Sequence, residues 1–153
     1  MTGHQTYIQK YKVRFGEIDH AGVMYYPAFF DRMHRAFEDF WEEALGLTYS
    51  QVLDSDGIGF PVVDVHSRFM APFRLGDMMR VEIAALRLGR RSLTFRYELF
   101  KDDETQPRTV AEIVSGVIAM QTFQPVELPQ HYRDALLPYV IDAPEAERDN
   151  TTS

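Results

Sequence analysis

The amino-acid sequence predicts an α+β domain in which one antiparallel sheet packs around one long helix. Three observations lead there. A period-two pattern opens the chain at Tyr7, a single long helical pattern follows Pro27, and four further strand patterns come after it, separated by short, turn-rich joints. One sheet laid on one helix is an α+β arrangement. The length of 153 residues suits one compact domain. That domain is assigned to residues 1–141. The stretch from Asp142 to Ser153 is polar, has nothing to bury and reads as a frayed tail.

In the first strand, Tyr7, Gln9, Tyr11, Val13 and Phe15 alternate with Ile8, Lys10, Lys12 and Arg14, the pattern of a half-buried strand. Gly16 to Gly22 carries two glycines and two acids and reads as a loop. Phe30, Met33, Phe37, Phe40, Trp41 and Ala44 then fall on one helical stripe, with Asp31, Arg35, Glu38, Asp39 and Glu42 opposite. Pro27 suits the first turn, where its missing N–H costs nothing, and Gly46 is a natural stop. The stripe is so aromatic that the sheet is expected to wrap around it.

Phe60 to Phe69 is rich in β-formers. Met78 to Leu88 alternates and then slips phase near Ala84-Ala85, which predicts a bulge. Leu93, Phe95, Tyr97 and Leu99 alternate with Thr94, Arg96 and Glu98. Thr109 to Gln121 is apolar on both faces, as expected of a central strand. The joints Leu75-Gly76-Asp77, Gly89-Arg90-Arg91 and Lys101-Asp102-Asp103-Glu104 are short enough to predict antiparallel neighbours.

Composition narrows the function. With 16 Lys+Arg against 23 Asp+Glu the formal charge is −7, which argues against bulk nucleic-acid binding but leaves room for a local arginine cluster on an anionic ligand. The absence of cysteine excludes disulfides, thiolate metal sites and a cysteine nucleophile. The first residues form no signal core and no later run is long enough to span a bilayer, so neither is expected and a cytoplasmic protein is the working expectation. Glu17, Asp19, His20 and His34 lack metal-ligand spacing, and no metal is expected. Ser50, Ser67 and Ser92 have no nucleophile-elbow context.

The most informative stretch runs from Phe15 to Pro27. It sets the carboxylate of Asp19 on a glycine-flanked loop just before a helix start. Free N–H groups at a helix N-terminus favour negative charge, including the oxyanion that develops in acyl transfer. Asp is also a common turn cap, and spacing alone leaves both readings of Asp19 open. His20 beside it is either a proton donor or substrate contact, or a loop histidine facing solvent.

The residues Phe15, Asp19, Gly22, Val23, Tyr25 and Tyr26 together resemble the signature of the 4-hydroxybenzoyl-CoA thioesterase family, including the bacterial acyl-CoA thioesterases associated with the Tol-Pal system. Phe69-Met70-Ala71-Pro72-Phe73-Arg74-Leu75-Gly76-Asp77 and Gly89-Arg90-Arg91-Ser92 are similar to two further family segments, in register, over roughly residues 7 to 137. The resemblance implies the hotdog fold, an antiparallel sheet wrapped around a long helix. It implies an acyl-CoA thioesterase that needs no cofactor, since coenzyme A is part of the substrate. Asp19 would act as nucleophile or as general base for water, and the backbone N–H of Tyr26 would polarise the thioester carbonyl.

Gly22, Tyr25 and Phe60 would contact substrate, with Gly57 to Pro61 as a flexible segment shaping the acyl pocket. Arg90 and Arg91 would bind the CoA phosphates. Glu17 stands where relatives often carry Asp, Ile18 replaces the usual Thr or Cys, and His34 lies where relatives often carry a helix acid. His34 is therefore a minor candidate only. The aromatic neighbourhood suits an aryl or short acyl group. A non-catalytic acyl-binding module and a hotdog dehydratase or hydratase are the alternatives. Surplus apolar strand surface predicts at least a homodimer, and the resemblance adds a homotetramer as the alternative.

Overall fold

The computed structural model describes residues 4–141, so the proposed tail from Asp142 onward lies outside the described residues. The elements in chain order are β1 (Tyr7–Lys12), a 3₁₀ turn (Phe15–Glu17), α1 (Tyr26–Leu45), a π-helical turn (Gln51–Ser55), β2 (Ile58–Gly59), β3 (Val62–Phe69), β4 (Met78–Leu88), β5 (Ser92–Lys101), β6 (Thr109–Gly116), β7 (Ile118–Ala119), α2 (Gln130–Leu136) and a 3₁₀ turn (Leu137–Tyr139). Five strands form one antiparallel sheet in the order β1-β4-β5-β6-β3, and β2 pairs with β7 in a small second sheet. The large sheet curves over α1, which is the hotdog arrangement that the family resemblance implies.

The helix is built as its stripe predicts. Phe29, Met33, Ala36, Phe37, Phe40 and Trp41 are buried against the inner face of the sheet. Their rings meet those of the sheet: Phe95 lies edge to face 5.6 Å from Phe37 and 5.8 Å from Phe40 between ring centroids, and Tyr7 is tilted against Phe40 at 5.5 Å. Gly46 ends the helix at φ +73°, where its N–H reaches the Glu42 carbonyl and the Leu47 N–H reaches Trp41. A side chain there would be strained, so the helix stops where only glycine fits. The slip near Ala84-Ala85 is a bulge in the β4–β5 ladder between Ala85 and Arg87.

Several expectations are corrected. The first strand stops at Lys12, and Phe15 stands exposed in the 3₁₀ turn, because Glu17 folds back to accept the Arg14 N–H at 2.8 Å. Leu75-Gly76-Asp77 does not join neighbours, since β3 lies on the far edge beside β6, and the chain between β3 and β4 is tied at the Phe73 carbonyl to the Met24 N–H just before α1. The stretch from Thr109 to Gln121 is not one strand: Val117 bonds to the Arg91 carbonyl instead, and β7 leaves the sheet to pair with β2. The central strand is β5, with β6 second from the edge. For the same reason Gly57 to Pro61 is not merely a loop, because β2 anchors its middle, and the strand predicted from Phe60 begins at Val62.

Candidate active site

The loop between β1 and α1 is held almost entirely by its own backbone. Ile18 and Met24 form an antiparallel bridge, and the Asp19 N–H donates to the Val23 carbonyl at 3.0 Å. The Gly22 N–H returns to the Asp19 carbonyl at 2.9 Å, closing a tight turn in which Gly22 takes φ +80°. The Ala21 N–H donates to Asp19 Oδ1 at 2.8 Å. Asp19 thus does cap its turn, but with one carboxylate oxygen; Oδ2 has no hydrogen-bond partner among the described residues. The side chain is exposed in the isolated chain.

The loop meets the helix through two further bonds. The Met24 N–H donates to the Phe73 carbonyl at 2.8 Å and the Tyr25 N–H to the Glu17 carbonyl at 3.1 Å. The Ala28 N–H turns back to Tyr25 at 3.0 Å, and Pro27 has no N–H to give. Among the described residues nothing accepts from the Tyr26 N–H, so a single donor at the helix start is left for a ligand. Beside it lies a cavity of about 290 Å³ lined by Met24, Tyr26, Phe29, Phe69, Met70 and Pro72. Phe29 and Phe69 meet edge to face there at 5.1 Å.

Asp19, Gly22, Tyr25 and Tyr26 are therefore brought together, with His20 exposed beside them and unbonded. Phe60 and His34 lie elsewhere. Both line a second cavity of about 260 Å³ further along α1, where His34 stacks on Phe37 at 6.0 Å and Phe60 stacks on Trp41 at 5.1 Å. Arg90 and Arg91 are more distant still. The Asp19 side of the sheet is marked by the Val13 N–H bond to Asp77, just before β4, whereas Arg90 and Arg91 follow its last residue. At ~3.3 Å per residue the two ends of β4 lie about 35 Å apart. Arg90 pairs with Glu127, whose carboxyl it holds below the usual range, and Arg133 pins the turn through the carbonyls of Leu88 and Gly89. One chain alone does not join these arginines to Asp19.

Sequence reasoning passed over two features. Glu17, noted only as a departure, is the residue that ties the loop together. Tyr97, placed on the inner face of β5 by its alternation, lines the second cavity. Its position was readable from period two, but the cavity depends on β3 lying beside β6, which local patterns do not reveal. Among the described residues, no three His, Asp or Glu side chains gather to hold a metal ion, and no helix is long and apolar enough to cross a membrane.

A family model described as "Thioesterase-like superfamily" matches residues 13–136. Among curated proteins, the 1,4-dihydroxy-2-naphthoyl-CoA hydrolase of Synechococcus elongatus is 30% identical over 81% of this chain and 90% of its own length. That of Thermosynechococcus vestitus is 28% identical over 90% of each. Among solved structures, a 1,4-dihydroxy-2-naphthoyl-CoA thioesterase from Synechocystis superposes with a TM-score of 0.77 at 24% identity, covering 87% of this chain and 96% of the other. A thioesterase-superfamily protein from Jannaschia superposes at 0.83 with 19% identity, covering 93% and 99%. These two structural matches show the shared fold.

Proposed function

The chain belongs to the thioesterase-like superfamily, and we propose that within it this protein hydrolyses an acyl-CoA thioester to a free acid and coenzyme A. The observation that carries the reading is the placing, on one short loop, of an exposed carboxylate with a free oxygen and an unpaired N–H at a helix start. Asp19 serves as nucleophile, through a mixed anhydride, or as general base for water. The Tyr26 N–H, aided by the α1 dipole, stabilises the oxyanion. His20 is placed to meet the leaving thiol or the substrate. The motif of Phe15, Asp19, Gly22, Val23, Tyr25 and Tyr26 supports the 4-hydroxybenzoyl-CoA thioesterase family, and the Tyr26-Pro27 pair supports its hydroxybenzoyl-CoA branch.

The cavity beside Tyr26 supports an aromatic or short-chain acyl group, and the relatives named for a naphthoyl-CoA substrate support the aromatic one. The working unit is a homodimer or homotetramer acting in the cytoplasm without a cofactor. In it the phosphates of CoA reach Arg90 and Arg91 of a second subunit, which the distance along β4 requires if one substrate is to meet both sites.

The test is thiol release from a panel of acyl-CoA esters, read with a thiol-reactive dye. Turnover of at least one ester is expected, and no release from any of them overturns the reading. A single turnover in heavy-oxygen water then separates the two roles of Asp19. Label in the Asp19 carboxylate marks the nucleophile, with the anhydride opened at the Asp19 carbonyl; label found only in the released acid marks attack of water at the acyl carbon, whether on the thioester or on the anhydride.

A further inference from the structure

Resting on the thioester reading, we infer that the groove between α1 and β3 is an acyl site of two compartments, the second built to receive the hydroxyl-bearing end of an extended acyl group. The first compartment is the cavity beside Tyr26. The second is the 260 Å³ cavity, whose wall includes Phe30, His34, Phe60, Tyr97 and Ser115. Phe69 borders the first and Phe30 the second, and their rings meet edge to face at 6.3 Å. An aromatic partition is what separates the two. Phe69 sits on an edge strand and is 46% exposed in the isolated chain.

The wall of the second compartment is unusual for the inner face of a sheet. The register sets Ser115 opposite Val62, Ala111 between Tyr97 and Ser67, and Thr109 opposite Phe69. Hydroxyls thus occupy positions where alternation calls for apolar side chains. Tyr97 and Ser115, 3% and 5% exposed, face the cavity itself, and neither hydroxyl is bonded to another described residue. A hydroxyl at a largely buried wall costs stability unless something pairs with it, so these two call for a partner inside the cavity. The Ser67 and Thr109 hydroxyls, buried and unpartnered on the same sheet, lie outside the cavity lining.

The chemistry of the wall selects the partner. Burial pushes the Tyr97 phenol up, so it stays protonated and can donate. Tyr97 and Ser115 each donate and accept, which matches a hydroxyl. No Lys or Arg lines the cavity, and its imidazole, His34, sits at the exposed rim, so a carboxylate end would lack a buried counter-charge. Phe30, Phe37, Phe60 and Val65 surround the apolar body. Eight positions of α1 separate Tyr26 from His34, about 12 Å at ~1.5 Å per residue. A short or single-ring acyl group fills the first compartment; an extended one reaches the second.

The experiment compares kcat/KM for 8-hydroxyoctanoyl-CoA and octanoyl-CoA in the wild type, Tyr97→Phe and Ser115→Ala. The wild type should favour the hydroxylated ester by about tenfold, the worth of one good hydrogen bond, and each substitution should cut that preference to about threefold or less. No preference in the wild type, or a preference that survives both substitutions, overturns the inference. Butanoyl-CoA, small enough for the first compartment, tests the thioester reading separately. If none of the three esters is hydrolysed, binding of free 8-hydroxyoctanoate against octanoate decides the compartment, and the thioester reading fails only if the aromatic esters of the panel are inert as well. Trp41, the one tryptophan of the chain, stacks on Phe60 at the cavity wall and reports occupancy by fluorescence. Selective binding of the hydroxy acid supports the inference; equal or absent response overturns it.

Discussion

The Tyr25 N–H donates to the carbonyl of Glu17 over 3.1 Å, so the end of one loop and the start of the long helix are tied at a single point. The same Glu17 accepts the Arg14 N–H through its side chain, and Tyr11 reaches its other oxygen at a long 3.5 Å. Arg32 of α1 lies over the Tyr11 ring, 3.2 Å from its centroid. Strand, loop and helix thus converge on one residue, and the Tyr26 N–H that follows is left without a competitor.

Asp19→Asn should lower kcat by about 10²- to 10⁴-fold, the span of one acid–base group. Asn retains a side-chain oxygen for the Ala21 N–H, so the turn should persist. Circular dichroism and thiol release on the purified variant check both points, and near-normal turnover would remove Asp19 from the chemistry.

Changing Arg90 and Arg91 together to Ala should raise KM for CoA esters about three- to tenfold with a smaller effect on kcat, because phosphate contacts lie far from the reacting carbon. Added salt should shrink the difference between wild type and variant, since both side chains are exposed. An unchanged KM would leave the turn with no role beyond its Glu127 pair.

The edge strand β3 exposes Val62, Val63 and Val65 in the isolated chain, Val63 by 64%. An apolar open edge calls for cover. Val63→Lys should shift the sedimenting species toward the 17.8 kDa monomer and reduce activity in parallel. A fully active monomer would show that each chain carries a complete site.

Alkaline pH should unfold the protein through its tyrosines. Burial raises the phenols of Tyr7, Tyr11, Tyr97 and Tyr132 well above their ordinary range, with Glu43 adding to the effect at Tyr7 and Asp56 at Tyr132. In the unfolded chain they ionise near pH 10. The folded state then holds more protons, so stability is full below about pH 10 and falls as pH rises through the folded values. Phenolate absorbance and loss of helix signal should therefore rise together; complete titration of a folded chain would contradict this.

The helix and its caps were legible because they are local: the stripe from Phe30 to Ala44 and the stop at Gly46 need no partner to be read. The bulge near Ala85 was legible as a break of period two. The place of β3 was not, because nothing within Val62–Phe69 says whether β4 or β6 lies beside it, and a short joint favoured the wrong neighbour. The Asp19 loop was legible through residue type and spacing. The Tyr26 N–H was singled out there too, but that the neighbouring Met24, Tyr25 and Ala28 N–H groups are spent was not legible, because it follows from where the carbonyls of Phe73, Glu17 and Tyr25 lie.

The strand order carries a kinetic consequence. Strands β4, β5 and β6 follow one another as hairpins, so their pairing closes short loops, whereas Tyr7 meets Ile83 and Val65 meets Ile113 only after long excursions of the chain. The three-strand meander is expected to form the folding nucleus, with the two flanking strands docking later. Conservative truncations such as Leu93→Ala should slow refolding, while those in β3 should mainly hasten unfolding. The strand that walls both cavities would then be the last to seal, and the first to open.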